Sequence, residues 1–296
     1  MLRFVLFLFL PALLLASDRL VVDDDAYIEK CKKTCAAMKK EDKLVSFAKL
    51  REHLDRKTCT LTLAEPRKEK LEAPDVYELL KGSTVVVASY FKCEECHEYH
   101  FESSSGFVVA DGVVCTCNHV VDYEDDRMKE GWLVVADPDG KVHAVTEVLA
   151  TNKDSDTCLV RVAGLTAKPL AFSTKARVGD KVYCLSHPED NHWMFTAGMV
   201  SRFFLNREDP DTGKELKPTL YVNVTAEYSP GSSGAPLVDE YGNVIAQVES
   251  ISTSLEEEQG SDKDKGKTFT TSYGMPIRSC VSAEEMLKLV VVKKKE

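Results

Sequence analysis

The chain has 296 residues, of which 44% are apolar and 29% are charged, as is usual for a globular protein. This length accommodates one domain of roughly 200 residues with extensions at its ends. The formal net charge of −10 argues against nucleic acids and anionic membrane surfaces as partners, and it favours cationic or neutral polypeptides.

Residues 1–17 are predicted to be a secretory signal peptide. Arg3 precedes an apolar run at residues 4–16, and Ala16 and Ser17 supply the small side chains that cleavage requires. A membrane anchor is the alternative, but the run is shorter than the roughly 20 residues that a membrane span needs. We therefore expect a secreted or periplasmic protein with no membrane span after signal removal.

Ten cysteines follow the predicted signal peptide. In an exported protein this number favours disulfides, whose pairing the sequence does not define. Four cysteines lie within apolar, strand-like runs and are expected to be small buried hydrophobic residues: Cys115, Cys117, Cys158 and Cys184.

Two amphipathic helices are predicted at residues 23–40 and 41–57, where apolar side chains recur at helical spacing. They form a helical hairpin that, with a polar linker at 60–75, fills residues 18–75 ahead of the main domain. Cys59 could tie its end back to Cys31 or Cys35. The hairpin is interpreted as an interaction segment, an inhibitory segment or a simple cap, because helices this short need a surface to bury their apolar face.

From about residue 76 the pattern changes to short runs rich in β-branched residues between turn signals. Many short strands without intervening helices predict an all-β barrel or sandwich. Polar loops are predicted at 207–217 and 255–267, and a closing helix at 282–292 precedes a basic tail. The predicted strands are 83–91, 106–116, 131–136, 142–150, 158–162, 181–185, 195–204, 219–225, 244–251 and 269–275.

Residues 93–100 read Cys-Glu-Glu-Cys-His-Glu-Tyr-His and form a loop between two predicted strands. A Cys93–Cys96 disulfide, or packing with no bridge, is the interpretation favoured in an oxidising compartment. Zinc bound by Cys93, Cys96, His97 and His100 is an alternative, although zinc sites usually use two separated ligand pairs. Cys-x-x-Cys-His also matches a haem c attachment pattern, but nothing indicates a distal ligand. We expect a structural loop with neither metal nor other cofactor.

The tight turn at residues 228–237, which reads Tyr-Ser-Pro-Gly-Ser-Ser-Gly-Ala-Pro-Leu, lies between two predicted strands. Such a turn holds the hydroxyl of Ser233 outward and bares backbone N–H groups that can receive a developing oxyanion. Upstream, Asn-His-Val-Val contains His119 and Ser-Asp-Thr contains Asp156. Acyl transfer needs a nucleophile, an imidazole that takes its proton and a carboxylate that orients the imidazole. The expected catalytic residues are His119, Asp156 and Ser233, and the expected oxyanion-hole residues are Gly231, Ser232 and Ser233.

Taken in order, these motifs resemble those of trypsin-like serine endopeptidases of the chymotrypsin fold, within which the HtrA/Deg branch matches best in pattern. The resemblance covers residues 76–290 and rests on Ser-Ser-Gly-Phe at 104–107, Thr-Cys-Asn-His-Val-Val at 116–121, Ser-Asp-Thr-Cys at 155–158, Val-Gly-Asp at 178–180, His-Pro at 187–188, Gly-Met-Val-Ser at 198–201, Ser-Pro-Gly-Ser-Ser-Gly-Ala-Pro-Leu at 229–237 and Gly-Met-Pro at 274–276.

This resemblance implies an all-β fold with two six-stranded antiparallel β-barrels in a protease domain at residues 76–280. The helical hairpin precedes this domain, and a C-terminal helix with the basic tail closes it at 281–296. Ala235 and Ser232 stand where the family has glycine and asparagine. With so few residues left, no PDZ-like segment is expected after the domain.

The resemblance also implies a substrate pocket. Glu227 precedes Ser233 by six residues, which is the base of the specificity pocket in trypsin-like folds. A carboxylate there would favour Lys or Arg before the scissile bond. The alternatives are that Glu227 faces solvent or that Tyr228 fills the pocket. Glu249 and Ile251 are the other expected pocket residues.

The leading hypothesis is an exported serine endopeptidase that hydrolyses peptide bonds of unfolded polypeptides. One alternative is a catalytically inert, protease-like binding module. Another is a metal- or haem-binding redox protein built around the loop at 93–100, which explains far less of the chain. The sequence leaves the natural substrate, the oligomeric state and any activation step open.

Overall fold

The structure, a computed structural model, describes residues 21–208, 213–253, 256–262, 267–273 and 275–293, and over 253–273 it describes the backbone alone. The predicted signal peptide lies outside the described residues, as do parts of both predicted polar loops and of the tail. None of the helices in the described ranges combines the length and the apolar character needed to cross a bilayer.

The N-terminal region contains helices α1 (Asp24–Lys40) and α2 (Phe47–Arg51), strand β1 (Cys59–Leu61) and helix α3 (Ala73–Lys81). The carboxylate of Asp23 caps α1 by accepting from the N–H of Ala26 at 3.0 Å. The second helix ends at Arg51 instead of residue 57. The chain beyond it is used in tertiary contacts, since the carbonyl of Arg56 accepts from the N–H of Thr151 at 2.8 Å.

The first barrel is closed by six antiparallel strands in the order β2-β3-β4-β7-β6-β5. A short helix, α4 (Asn118–Val121), follows β4. The single strand predicted at 106–116 is divided between β3 and β4 by a turn in which Gly112 has a φ of 61°, a conformation that glycine adopts at little cost. The strands are β2 (Thr84–Cys93), β3 (Tyr99–Ala110), β4 (Val113–Cys117), β5 (Met128–Ala136), β6 (Val142–Asn152) and β7 (Thr157–Val162).

The second barrel is closed in the order β10-β15-β12-β11-β8-β9, so the prediction of two six-stranded antiparallel barrels is confirmed. A two-stranded hairpin leaves it between β12 and β15, in the region predicted as a polar loop. The strands are β8 (Lys181–Ser186), β9 (Met194–Glu208), β10 (Glu215–Val224), β11 (Pro236–Val238), β12 (Val244–Thr253), the hairpin strands β13 (Glu256–Asp262) and β14 (Lys267–Tyr273), and β15 (Pro276–Ser282).

The described C-terminal segment is a short helix, α5 (Ala283–Leu287), followed by strand β16 (Val290–Val292). The helix predicted to residue 292 therefore ends early. Three consecutive valines pair in parallel with β1, Cys59 opposite Val290 and Leu61 opposite Val292. β-branched side chains suit this extended pairing better than a helix.

Helix α1 packs on the first barrel as a cap. Its residues Tyr27, Cys31 and Cys35 are buried, and the hydroxyl of Tyr27 donates to the carbonyl of Asp137 at 3.0 Å. The helix therefore buries its apolar face against the protease-like body.

All ten cysteines are free thiols, so the disulfides that their number favoured are absent. Most of them sit in the core as small apolar residues. Cys115, Cys117, Cys158 and Cys184 have no exposed surface, as expected from their strand-like runs. Burial raises the pKa of each of these four thiols and so keeps them protonated.

Candidate active site

The imidazole of His119 is held by the carboxylate of Asp156. One carboxylate oxygen lies 2.5 Å from Nδ1 of His119, and the other accepts from its backbone N–H at 2.8 Å. Asp156 is mostly buried at 15% exposure, whereas the imidazole is 52% exposed. The carboxylate thus fixes the ring orientation and leaves the rest of the imidazole accessible.

The backbone around Asp156 is itself constrained. Asp156 lies in the turn between β6 and β7 with a φ of 42°, which aspartate tolerates better than most residues. Its carbonyl accepts from the N–H of Asn118 at 3.1 Å and from Nε2 of Gln247 at 3.4 Å. The same side chain of Gln247 also donates to the sulfur of Cys117 at 3.1 Å. Gln247, on β12, therefore connects the second barrel to the His119–Asp156 pair.

The turn before Ser233 is held through its carbonyl groups. Pro230 accepts from the N–H of Glu189 at 2.8 Å, and Gly231 accepts from the hydroxyl of Ser105 at 3.0 Å. Ser232 accepts from the N–H of Ala235 at 2.9 Å, and Ser233 accepts from the N–H of Ser105 at 2.9 Å. Four consecutive peptide planes are thus fixed.

The N–H groups of this turn divide into two sets. The N–H of Ser232 donates to the carbonyl of Ser229 at 3.0 Å. Those of Gly231 and Ser233 have no acceptor within the described part of the chain. Because a trans peptide directs its C=O and N–H to opposite sides, the fixed carbonyls of Pro230 and Ser232 also fix where these two N–H groups point.

The turn of Ser233 meets the first barrel at Gly234. Gly234 has a φ of 89°, and a Cβ there would lie 2.2 Å from the carbonyl oxygen of Ser105 and 2.5 Å from Oγ1 of Thr116. Only glycine permits this approach. Thr116 lies at the end of β4, just before the segment that carries His119, so the contact brings the Ser233 turn next to the strand end that presents the imidazole.

The hydroxyl of Ser233 donates to the carbonyl of Glu249 at 3.5 Å, which is the outer limit of a hydrogen bond. The two residues that depart from the family pattern are both buried. The hydroxyl of Ser232 donates to that of Ser186 at 3.0 Å, and Ala235 lies in the core of the second barrel. Neither side chain replaces one of the three expected catalytic groups.

The segment between β8 and β9 supports the turn from its other side. It contains a 3₁₀ turn at Pro188–Asp190, and the backbone N–H of Glu189 in this turn donates to the carbonyl of Pro230. Burial lowers the pKa of His187 to about 3, so its ring is neutral. Nδ1 of His187 accepts from the N–H of Trp193 at 3.2 Å. In the sequence, His187 stands out only as part of a motif, and nothing singles out Glu189 or Trp193.

Of the expected substrate-pocket residues, Glu249 and Ile251 line a cavity of about 450 Å³. The turn at 228–237 does not line this cavity, and Glu249 connects the two because its carbonyl accepts from the hydroxyl of Ser233. Tyr228 is buried, and its hydroxyl lies 2.9 Å from the carbonyls of both Ser250 and Ser279. Glu227 is 79% exposed and lies 3.9 Å from the guanidinium of Arg278. The exposure of Glu227 corresponds to the alternative in which this side chain faces solvent.

Among the residues that the structure describes, two groups of side chains have the composition of a metal site. The first consists of Cys117, His119 and Asp156 and includes two of the three expected catalytic residues. Cys93, Cys96 and His100 form the second, whereas His97 is exposed and is not among them. The pKa of Cys93 is lowered, chiefly because the backbone N–H of Cys96 donates to its sulfur.

Comparisons with known proteins show which proteins the chain resembles. Residues 104–246 match the family model described as a trypsin-like peptidase domain. The chain is 36% identical over 149 residues to the protease Do-like 14 of Arabidopsis thaliana, across 48% of this chain and 34% of the relative. It is 26% identical over 190 residues to a DegP-like periplasmic serine endoprotease of Ectopseudomonas mendocina, across 62% of this chain and 35% of the relative. The matches thus span about a third of the length of these relatives.

The Rv3671c protease of M. tuberculosis, in its active form, shares the fold with a TM-score of 0.55 at 21% identity, over 81% of this chain and 94% of that one. This similarity extends the common fold beyond the segment that the family model matches. Residues 104–246 of the chain are therefore similar to a trypsin-like peptidase domain within a chymotrypsin-like fold, and Do-like and DegP-like proteases are among the proteins that the chain resembles.

Proposed function

We propose that the chain is a serine endopeptidase in which Ser233 is the nucleophile, His119 the general base and acid, and Asp156 the orienting carboxylate. The observation that carries the proposal is that the carboxylate of Asp156 makes two hydrogen bonds with His119, one with Nδ1 at 2.5 Å and one with the backbone N–H at 2.8 Å. With Nδ1 occupied by the carboxylate, Nε2 is the nitrogen that can take a proton from a hydroxyl.

In the first step, the Oγ of Ser233 attacks the carbonyl carbon of the scissile peptide as its proton passes to Nε2 of His119. The carbonyl π electrons move to oxygen, and the N–H groups of Gly231 and Ser233 receive the resulting oxyanion. The tetrahedral intermediate then collapses. Its C–N bond breaks, and His119 gives the proton to the leaving amine. Water attacks the acyl-enzyme by the same route and restores Ser233.

The fixed turn supports this assignment of the oxyanion hole. Its N–H groups at Gly231 and Ser233 have no acceptor in the described structure, whereas that of Ser232 bonds within the turn. We therefore assign two donors, Gly231 and Ser233, and give Ser232 a supporting role. Donors that are already oriented need little reorganisation when charge develops.

The substrates that we propose are unfolded polypeptides reached after export. Support for export comes from the apolar N-terminal segment with Arg3 before it and Ala16-Ser17 after it. One relative is named as a periplasmic endoprotease. Sequencing the N-terminus of the secreted or periplasmic protein tests this part, and we expect cleavage after Ala16 or Ser17.

Fluorophosphonate labelling, with casein cleavage measured in parallel, tests the activity. Ser233→Ala and His119→Ala should each abolish labelling and lower cleavage by about 10⁴-fold. Ser229→Ala is the matched control, because it removes a hydroxyl from the same turn but keeps the carbonyl that Ser232 uses. Absence of labelling in the folded wild type, with unfolded casein present, would instead support an inert binding module.

A further inference from the structure

The loop between β2 and β3 brings together two thiols and an imidazole. Sγ of Cys93, Sγ of Cys96 and a ring nitrogen of His100 all lie within 4.8 Å of one another. Sγ of Cys96 is 3.1 Å from Nε2 of His100. Bond lengths of about 2.3 Å to sulfur and about 2.0 Å to nitrogen place the ligand atoms of a tetrahedral zinc roughly 3.5 to 3.8 Å apart. The three atoms are therefore close to the spacing that one ion requires.

The backbone of the loop holds these ligands in place. Residues on β2 and β3 pair up to the loop, with Phe91 opposite His100, and the rings of these two residues stack at 5.2 Å. The N–H of Cys93 donates to the carbonyl of Glu98 at 2.9 Å and closes the loop. Each side chain of the group thus projects from a backbone fixed by the barrel.

The thiols lie in an acidic loop. Glu94, Glu95 and Glu98 add negative charge to it, and this charge favours a cation.

We propose that Cys93, Cys96 and His100 bind one zinc ion, with the fourth tetrahedral position taken by solvent. Two thiolates and one imidazole are soft and borderline ligands, which suit zinc and not calcium or magnesium. Two thiolate charges also neutralise a divalent ion. His97, which the Cys-x-x-Cys-His pattern would use in haem attachment, is exposed and lies outside the group.

The loop that would hold the ion contacts the segment that follows His119. The N–H of Glu94 donates to the carbonyl of Arg127 at 2.7 Å, and Cys93 pairs with Met128 at the start of β5. Residues 122–127 connect the α4 helix to this strand. The proposed role is therefore to stiffen this edge of the first barrel. It does not depend on peptidase activity and goes beyond the proposed function.

The test uses the full chain, expressed with added zinc and purified with reductant and without chelator. Elemental analysis should find about one zinc per chain. After removal by chelation, Co²⁺ titration should give the visible bands of tetrahedral cobalt and thiolate-to-cobalt charge transfer. Cys93→Ser, Cys96→Ser and His100→Ala should each lower bound metal at least about tenfold. His97→Ala and Cys59→Ser are matched controls from outside the group and should retain it.

Cobalt titration of the wild type keeps the test decisive if a ligand variant fails to fold. Charge-transfer intensity per cobalt reports the number of thiolate ligands, and we expect two. Four results would overturn the proposal: no metal bound by the reduced wild type, a Cys93–Cys96 disulfide as the only native form with no cobalt bound after reduction, covalent haem absorbance, or undiminished metal in all three ligand variants.

Discussion

The carboxylate of Asp24, in the first turn of α1, accepts from both the backbone N–H and the ring Nδ1 of His192, at 3.0 and 2.8 Å. The ring of Tyr27, one turn further along α1, lies 4.7 Å from the same imidazole. His192 belongs to the segment before β9 that also holds the carbonyl of Pro230 through Glu189. The N-terminal helix is thereby connected to the turn that carries the proposed oxyanion hole.

We expect Asp24→Ala to lower kcat about 3- to 10-fold with little change in KM. The substitution removes both hydrogen bonds of Asp24 to His192, so the segment that contains Glu189 becomes more mobile. Because Glu189 orients the Pro230–Gly231 peptide, the Gly231 N–H then points towards the oxyanion for a smaller fraction of the time. This effect is a fraction of the 10²- to 10³-fold loss that follows complete removal of an oxyanion donor. The measurement is steady-state kinetics on a peptide substrate, with the fluorophosphonate labelling rate as a second readout.

Asp25→Ala is the control, because it removes the same charge from an exposed neighbour with no side-chain contact in the described structure. Equal kinetic effects of both substitutions, or a lower melting temperature for Asp24→Ala with an unchanged kcat, would show that α1 contributes only to stability.

Gly234→Ala should destabilise the protein by about 3 kcal/mol or more, whereas Gly164→Ala should cost only about 1 kcal/mol. Both glycines have positive φ, at 89° and 66°, so both substitutions carry backbone strain. At Gly234 the new methyl would also meet the carbonyl oxygen of Ser105 at 2.2 Å, but at Gly164 nothing lies within 4 Å. Urea unfolding of both variants measures the difference. Similar costs would mean that the two barrels separate easily at this contact.

The barrels could be predicted from sequence because their strands have a local signature. Short β-branched runs between turn signals define the strands, and the spaced motifs around His119, Asp156 and Ser233 define the topology by resemblance. The pairing of Cys59 with Val290 has no such signature. It joins short segments from opposite ends of the chain, and isolated three-residue strands become stable only when tertiary contacts bring them together.

The same reason explains which parts of the site were missed. The Asp24–His192 contact spans 168 positions, and neither residue belongs to a motif. Gln247 lies in an ordinary strand pattern, and only the structure places its amide against Cys117 and Asp156. The sequence favours a structural role for the loop at 93–100, and its zinc alternative includes four residues because sequence spacing does not reveal that His97 is exposed, with a φ of 61°.

His187 should make the folded state less stable as the pH falls below 6.5. Burial lowers its pKa from 6.5 to about 3, so between these values the unfolded chain binds a proton that the native protein does not. The free energy of unfolding then decreases by up to about 1.4 kcal/mol per pH unit, or about 2 kcal/mol between pH 7.5 and pH 5. The measurement stops at pH 5 because carboxylates with lowered pKa values, such as Asp180 and Glu130, titrate below this pH and would add their own effect on stability.

His187→Gln should remove this part of the slope. The rings of His192 and Trp193 face that of His187. His192 is hydrogen-bonded to Asp24, and His192, Trp193 and Asp24 all remain in the variant. His97→Gln, at an exposed loop position, is the control and should leave the slope unchanged. The comparison is between slopes of unfolding free energy against pH, so a constant loss of stability from the substitution does not affect it. A wild-type slope retained in His187→Gln would contradict the assignment.

Glu249, not Glu227, should set the charge preference of the substrate pocket. Glu249 lines the cavity of about 450 Å³, and its carbonyl accepts from the hydroxyl of Ser233, the proposed nucleophile. Glu227 is 79% exposed and close to Arg278, so solvent and the guanidinium screen its charge. We expect Glu249→Gln to decrease cleavage after Lys or Arg about tenfold relative to cleavage after Leu, because a charged side chain in the cavity loses its partner. Glu227→Gln should change this ratio less than about twofold.

The ratio of kcat/KM values on matched Lys and Leu peptides is the measurement. It is insensitive to a general loss of activity, because such a loss cancels between substrates. A change in the ratio for Glu227→Gln as large as that for Glu249→Gln would mean that the exposed carboxylate folds over the cavity when substrate binds.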